Sequence, residues 1–167
     1  MKVSFAKLGL LLLCLASPWS WAKSNDTEQP IVIHSNNQQV DMKTNTVTFS
    51  GKVVLTQGSI KIHADRIVVI RPKGKEGQEI IEAYGKPATF QQTTDDGKPL
   101  NGKANKLRYE IAKEFLTMTT NAELNQEGSV IKGDSISYSI VQQKLVAKSG
   151  GQERVTTIIQ PNKINQK

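Results

Sequence analysis

The sequence repeats itself, and this constrains the fold more than any single motif. A unit that reads TVTFSGKVVLTQ at 46–57 recurs as IIEAYGKPATFQQ at 80–92, as FLTMTTNAELNQ at 115–126, and in part as LVAKSG at 145–150. The position of Gly51 then corresponds to Gly85, Thr120 and Gly150, with Thr120 departing from the glycine pattern. Copies roughly 30 to 35 residues apart are typical of proteins that stack one supersecondary unit. The chain is therefore expected to fold as a stack of similar units.

Within each unit, apolar residues alternate with polar ones. In the first and third units, the apolar residues of one parity are Val47, Phe49, Val53 and Leu55, and then Leu116, Met118, Ala122 and Leu124. A period of two indicates β-strands with one apolar face. Turn signals separate these strands at 57–59, 72–77, 95–97 and 127–129. The pattern predicts an all-β chain of repeated antiparallel hairpins.

Residues 103–116, KANKLRYEIAKEFL, allow a second interpretation. Leu107, Ile111 and Phe115 are spaced by four in a segment rich in helix-forming residues. However, GKANKLRY at 102–109 aligns with IHADRIVV at 62–69 and with IKGDSISY at 131–138. The alignment favours two strands, with a turn near Ala112, Lys113 and Glu114.

The run IKIHADRIVV contains His63 and Asp65, two residue types that often form a catalytic pair. The repeat aligns His63 with His34, Lys103 and Lys132. A catalytic or zinc-binding imidazole would not be exchanged for lysine at equivalent positions. We therefore interpret His63 as an outward-facing polar residue on a strand.

The acidic residues and potential nucleophiles of the chain are not spaced as they are in known hydrolase motifs. A hydrolase needs paired carboxylates, or a nucleophile with an oriented base. Asp41, Asp65, Glu82 and Asp134 fall at repeat or turn positions, and no GxSxG motif occurs. Neither catalysis nor a metal or cofactor is expected.

The first 22 residues have the layout of a secretory signal. Lys2 and Lys7 precede the apolar run LGLLLLCLA, and Ala22 ends a small-residue cleavage pattern. This segment holds the single cysteine, Cys14, and both tryptophans. We expect an exported domain at 23–160 without disulfides, followed by a polar flexible tail at 161–167. The full chain has a formal net charge of +7, and outside the cytoplasm such a charge suggests anionic lipids or glycans as partners and argues against nucleic acid.

The apolar face of the strands must be buried in a core or must bind an apolar ligand. Beyond residue 22 the aromatic residues are few, and the face consists mainly of Ile, Val and Leu, which suits alkyl chains. Composition alone favours a closed core, as in a structural β-fibre or an adhesin-like envelope module.

Several long segments resemble, in unbroken order, the LptA group of the OstA-like family of periplasmic lipopolysaccharide-transport bridge proteins. They are DTEQPIVIHSNNQQVDM, VTFSGKVVLTQGSIKIHADRIVV, YGKPATF, DGKP and RVTT, and together they cover about residues 26–160. The resemblance implies an open, slightly twisted β-jelly roll in a periplasmic protein. It also implies an apolar interior that carries the acyl chains of lipopolysaccharide from the inner to the outer membrane, and so an open groove instead of a closed core.

The parity of the repeats selects the side chains expected to line this groove. They are Ile31, Ile33, Phe49, Leu55, Ile62, Phe90, Leu107, Tyr109, Ile111, Leu116 and Met118. The segments 31–35 and 145–159 hold incomplete units, so we expect them to be free edges of the sheet. Such edges predict head-to-tail self-association. The resemblance adds inner-membrane and outer-membrane components of the lipopolysaccharide export machinery as partners at the same edges.

Overall fold

The computed structural model describes residues 25–72, 75–151 and 154–161. The predicted signal segment at 1–22 lies outside the described residues, as do residues 162–167 of the predicted tail. Short 3-10 turns occur at Asp26–Glu28 and Ile111–Lys113. The strands are β1 (Val32–His34), β2 (Asn37–Asp41), β3 (Thr46–Gln57), β4 (Ile60–Ile70), β5 (Ile80–Thr93), β6 (Pro99–Glu110), β7 (Phe115–Gln126), β8 (Ser129–Ser139), β9 (Lys144–Lys148) and β10 (Thr156–Ile158). The all-β prediction is confirmed.

The strands form one antiparallel sheet in which each long strand pairs with the next along the chain. The order is β1-β3-β4-β5-β6-β7-β8-β10, with β2 also paired to β3 and β9 to β8. The segment 103–116 belongs to β6, the second 3-10 turn and the start of β7. The strand interpretation of this segment is therefore confirmed, and the helical alternative is wrong.

Each long strand is bent near its middle. The pairing register shifts between Ser50 and Val53 in β3, and equivalent shifts recur in every following pair up to β7 with β8. The repeat positions lie at these shifts: Gly51 has a φ of 84° and Thr120 a φ of 66°. Bulges of this kind bend a strand and increase its twist. The glycine position of the repeat is thus a bending point, and Thr120 takes the left-handed conformation there in place of glycine.

The line of bends divides the sheet into two halves. Half A contains β2, β9 and the strand segments 46–50, 66–70, 80–84, 106–110, 115–119 and 135–139. Half B contains β1, β10 and the segments 53–57, 60–64, 88–93, 99–104, 122–126 and 129–133. The short strands β1 and β2 act as the two halves of one bent edge strand, as do β10 and β9 at the other end.

The two halves face each other. Phe90 in half B and Tyr138 in half A belong to strands three positions apart, yet their ring centroids are 6.2 Å apart. A flat sheet would separate these strands by about 14 Å. Tyr109 of half A likewise donates a hydrogen bond to Gln57 of half B at 2.9 Å. The sheet is therefore folded over along its bends into a jelly-roll-like structure whose two ends are not joined.

The size of the interior side chains increases with distance from the line of bends, which we call the crease. The residues nearest the crease are small, with Ala88 and Ala104 paired across β5 and β6 and both fully buried. Farther from the crease, large side chains fill the space between the halves: Ile62, Phe90, Leu107, Leu116 and Met118 are at most 1% exposed. The middle of the interior is thus a closed apolar core, as composition favours.

Candidate functional site

A cavity of about 460 Å³ lies between the halves at the β1 end of the sheet. Its apolar lining consists of Ile31, Ile33, Val47, Phe49, Val69, Ile81 and Ile111. The short strands β1 and β2 cover this end incompletely, so Ile33 and Phe49 remain half-buried. Arg71 and Glu79 form an ion pair at 3.0 Å in the wall of the cavity. We call this space the N-terminal cavity, and its size and apolar lining are those of a small-ligand pocket.

The segment 25–29 closes one side of the N-terminal cavity, and we call it the strap. Asp26 in the strap accepts hydrogen bonds from the Ser59 backbone N–H and hydroxyl, both at 2.6 Å, and from Gln92 Nε2 at 3.1 Å. Gly58, with a φ of 57°, permits this contact, because a Cβ there would lie 2.4 Å from Asp26 Oδ1. Asp26 thereby attaches the strap to the hairpin ends of half B.

Gln57 joins the strap to both halves. Its Nε2 donates to the carbonyl oxygens of Thr27 and Gln29 at 3.0 and 3.1 Å, and its Oε1 accepts from the Tyr109 hydroxyl. Gln57 and Tyr109 are both buried. Burial raises the pKa of Tyr109 to about 12, with smaller contributions from the charges of Glu114 and Asp26, so the phenol stays protonated and can donate. We call this Gln57–Tyr109 contact the latch, because it holds the halves together on the side opposite the crease.

A second cavity of about 460 Å³ lies between the halves at the other end of the sheet, and we call it the C-terminal cavity. Its lining is more polar and consists of Thr94, Leu100, Leu124, Gln126, Glu127, Ser129, Ile131, Tyr138, Gln143, Leu145, Thr157, Ile159 and Gln160. Burial raises the pKa of Tyr138 to about 12, and the charges of Asp95 and Asp26 add to the effect. This end of the interior thus combines an apolar wall with a protonated phenol.

The outer faces of the sheet carry the charged residues. His34, His63, Lys103 and Lys132 are all exposed, which confirms the outward orientation predicted from the repeat. Glu123 pairs with Lys103 at 3.2 Å and with Lys132 at 3.4 Å, and these pairs keep its pKa low against the opposing effect of partial burial. These ion pairs are partly exposed to solvent and contribute little to stability.

Two further features bear on the kind of site present. Across the described residues, no three His, Cys, Asp or Glu side chains come together as metal ligands would. No helix in the same part of the chain has the length and apolar character that a membrane span requires.

Known proteins match this chain over most of its length. The family model described as "LptA/(LptD N-terminal domain) LPS transport protein" matches residues 32–144. The chain belongs to this family. Within it, the lipopolysaccharide export system protein LptA of Escherichia coli K12 is 48% identical over 172 residues, covering 100% of this chain and 93% of the relative. LptA of Haemophilus influenzae is 47% identical over 98% of this chain and 96% of its own length.

The fold agrees with a solved member of the LptA family. The crystal structure of LptH, described as the LptA-homologous periplasmic component of the lipopolysaccharide transport device of Pseudomonas aeruginosa, superposes with a TM-score of 0.75. The match covers 83% of this chain and 100% of that one, at 27% identity. The predicted open β-jelly roll and the predicted family are both confirmed.

In this LptA-family chain, the predicted groove residues fall into two groups. Ile31, Ile33, Phe49 and Ile111 lie together in the N-terminal cavity. The others lie in the closed middle of the core: Leu55, Ile62, Phe90, Leu107, Tyr109, Leu116 and Met118. A lipid-binding role for either group stays a prediction.

The sequence interpretation missed most of the C-terminal cavity and the polar contacts of the strap. Parity places Leu124 on the apolar face, whereas the predicted groove residues do not include Ile131, Tyr138, Leu145 or Ile159. The alternation in 129–139 and 144–148 was a usable signal for three of them. No local signal pointed to Gln57, because its partners are 28 to 52 residues away along the chain.

Proposed function

We propose that this protein is a periplasmic lipopolysaccharide-binding bridge that carries lipopolysaccharide from the inner to the outer membrane. The observation that carries the proposal is an apolar interior, open at both ends, in a member of the lipopolysaccharide transport family. Relatives named as lipopolysaccharide export system proteins support it. The role is non-enzymatic, since it requires only that acyl chains be shielded from water.

The cavities and the core contribute to this role in different ways. Acyl chains first contact the residues that line the end cavities, such as Ile33 and Phe49, while the polar head stays outside. The buried side chains of the middle become the wall of a continuous groove when the halves move apart at the latch. Each large apolar side chain fully covered by lipid contributes about 1.5 to 3 kcal/mol. Opening exposes the same apolar groups, so lipid must replace their present contacts.

The free edges of the sheet would join one molecule to the next in the bridge. Among the described residues, β1 and β2 pair only with β3, and β9 and β10 pair only with β8. Their free N–H and C=O groups are a template for another strand. A contact between opposite ends of two molecules is heterologous and extends into a filament whose interiors align. Inner-membrane and outer-membrane components of the export machinery would bind the same edges.

Photo-cross-linking tests lipid binding directly. A photoreactive residue at Ile33 or Phe49 should capture lipopolysaccharide, whereas one at His63 or Lys103, on the outer face, should not. Mass spectrometry of material that co-purifies with the protein should detect acylated lipid. Equal capture on both faces, together with lipid-free material, would favour a structural β-fibre without lipid cargo, for which the closed middle of the core is the supporting observation.

Truncation tests the bridge separately from lipid binding. Deleting residues 145–167 removes β9 and β10, which are the edge strands at this end of the sheet, and leaves β8 as a different edge. The truncated protein keeps the N-terminal cavity and should bind lipid there, but it should no longer lengthen. Assemblies of the full chain should grow with concentration in light scattering. A discrete dimer at every concentration, or filaments formed by the truncated chain, would exclude end-to-end assembly through this edge.

A further inference from the structure

Two buried tyrosines on half A differ in one respect. Tyr109 and Tyr138 are 1% and 2% exposed. The Tyr109 hydroxyl donates to Gln57, whereas the Tyr138 hydroxyl, itself buried, has no hydrogen-bond partner in the part of the chain that the structure describes. An unsatisfied buried polar group costs about 1 to 3 kcal/mol. The Tyr138 hydroxyl therefore needs a partner that the described residues do not supply.

Tyr138 is held at the wall of the C-terminal cavity. On half A it lies between Leu116 of β7 and Leu145 of β9, and its ring meets Phe90 edge-on at an interplanar angle of 61°. Leu145 and Tyr138 both line the cavity, and Leu124 lines it from half B. Tyr138 thus lies in the apolar part of the cavity wall with its hydroxyl buried, while the rest of the lining is polar: Thr94, Gln126, Glu127, Ser129, Gln143, Thr157 and Gln160.

The surroundings determine which ligand group can satisfy this phenol. The charges of Asp95 and Asp26 act on Tyr138 and, together with burial, raise the pKa of its hydroxyl, so it stays neutral. The same negative charges disfavour an anionic ligand group at this position. Nearer the hairpin ends, Gln126 and Gln143 give the cavity a polar side where a head group would remain. A neutral oxygen on an otherwise apolar chain fits these conditions.

We propose that the C-terminal cavity binds an acyl chain that carries a neutral oxygen along its length, as a hydroxyl or an ester, and that Tyr138 recognises this oxygen. This inference rests on the proposed function and gives it a chemical specificity. The two ends of the interior then differ. The N-terminal cavity contains no buried side-chain atom without a hydrogen-bond partner among its lining residues and takes unsubstituted chains.

Calorimetry measures the binding of single acyl chains to the protein. The protein used is the mature form that the cell produces from the full sequence. The probes are tetradecanoic acid and a series of its derivatives, each with one hydroxyl at a successive carbon. One hydroxylated isomer should bind about tenfold more tightly than the unsubstituted acid, which is the effect of one hydrogen bond to an otherwise unsatisfied group. The variant Tyr138→Phe should lose this preference and bind all probes alike.

Tyr109→Phe is the matched control, because it removes a buried hydroxyl that already has a partner. It should lower the urea midpoint of unfolding, because it leaves Gln57 Oε1 buried without its donor. Tyr138→Phe should leave the midpoint unchanged or raise it, since it removes an unsatisfied group.

The outcomes separate this inference from the proposed function. If no probe binds to the unmodified protein, lipid binding itself is excluded. If the probes bind but none of the hydroxylated isomers is preferred, or if the preference survives in Tyr138→Phe, only the subsite is wrong. A loss of stability in Tyr138→Phe equal to that in Tyr109→Phe would show that water already satisfies the phenol, and would also overturn the subsite.

Discussion

The latch between Gln57 and Tyr109 allows a quantitative test of how the sheet is held closed. Tyr109→Phe removes the donor and leaves Gln57 Oε1 buried without its partner. Gln57→Leu keeps a similar volume but leaves the Tyr109 hydroxyl and the carbonyls of Thr27 and Gln29 without partners. The two substitutions thus remove one shared hydrogen bond, and Gln57→Leu removes two more.

The expected magnitudes follow from these contacts. Losing one buried hydrogen bond and leaving its partner unsatisfied costs about 1 to 2 kcal/mol, which is the expectation for Tyr109→Phe. Gln57→Leu affects three contacts, two of them to partly exposed carbonyls, and should cost about 2 to 4 kcal/mol. In the double variant the shared hydrogen bond is lost only once. Its destabilisation should therefore fall short of the sum by about 1 to 2 kcal/mol.

Urea unfolding followed by far-ultraviolet circular dichroism measures these free energies. Tryptophan fluorescence is unsuitable, because Trp19 and Trp21 both lie in the predicted signal segment. Lys103→Ala is the control, since it removes only a partly exposed ion pair with Glu123 and should change stability by less than about 0.5 kcal/mol. Strictly additive effects of the two latch substitutions, or a Tyr109→Phe effect no larger than the control, would refute the latch.

Three further outcomes are expected. Burial raises the pKa of Tyr109 and Tyr138 to about 12, against about 10 in the unfolded chain. Below about pH 10 both phenols are protonated in either state and stability does not vary with pH through them, whereas between about pH 10 and 12 the unfolded chain loses these protons first and the folded state loses stability. The loss should be roughly 2 to 3 kcal/mol per residue, and the urea midpoint of a variant with both residues changed to Phe should fall less steeply over this range. Ile62→Ala, in the closed core, should cost about 2 to 5 kcal/mol of stability. It should leave the affinity for a single acyl chain within about twofold, because a single chain occupies an end cavity while the halves stay closed. Ile33→Ala, in the N-terminal cavity, should cost less stability and weaken that affinity about fivefold in calorimetry, and the reverse ranking would show that a single chain already enters the middle of the core. Thr120→Gly should raise stability by about 0.5 to 1 kcal/mol in urea unfolding, because its φ of 66° strains a threonine but not a glycine, and a loss of stability would contradict this account.

Local pattern in the sequence was sufficient to predict the long strands, their connection as antiparallel hairpins and the outward position of His63. Each long strand pairs with its neighbours along the chain through short hairpins, so the information that determines pairing lies within about one repeat. The same repeat marked the bends, since Gly51 and Thr120 both lie where the register shifts. Period-two alternation then determined which residues face the interior, because successive side chains of a strand point to opposite faces.

How the interior is divided was decided only by the tertiary structure. Parity placed Ile33 and Ile62 on one apolar face, yet Ile33 lines a cavity and Ile62 is fully buried. The difference arises because the sheet folds over itself and the short edge strands cover its ends incompletely. The latch of Gln57 to Tyr109 and the unsatisfied hydroxyl of Tyr138 have the same origin. They depend on which side chains of the two halves come into contact across the fold. These contacts are between residues three strands apart, so no local sequence pattern could predict them.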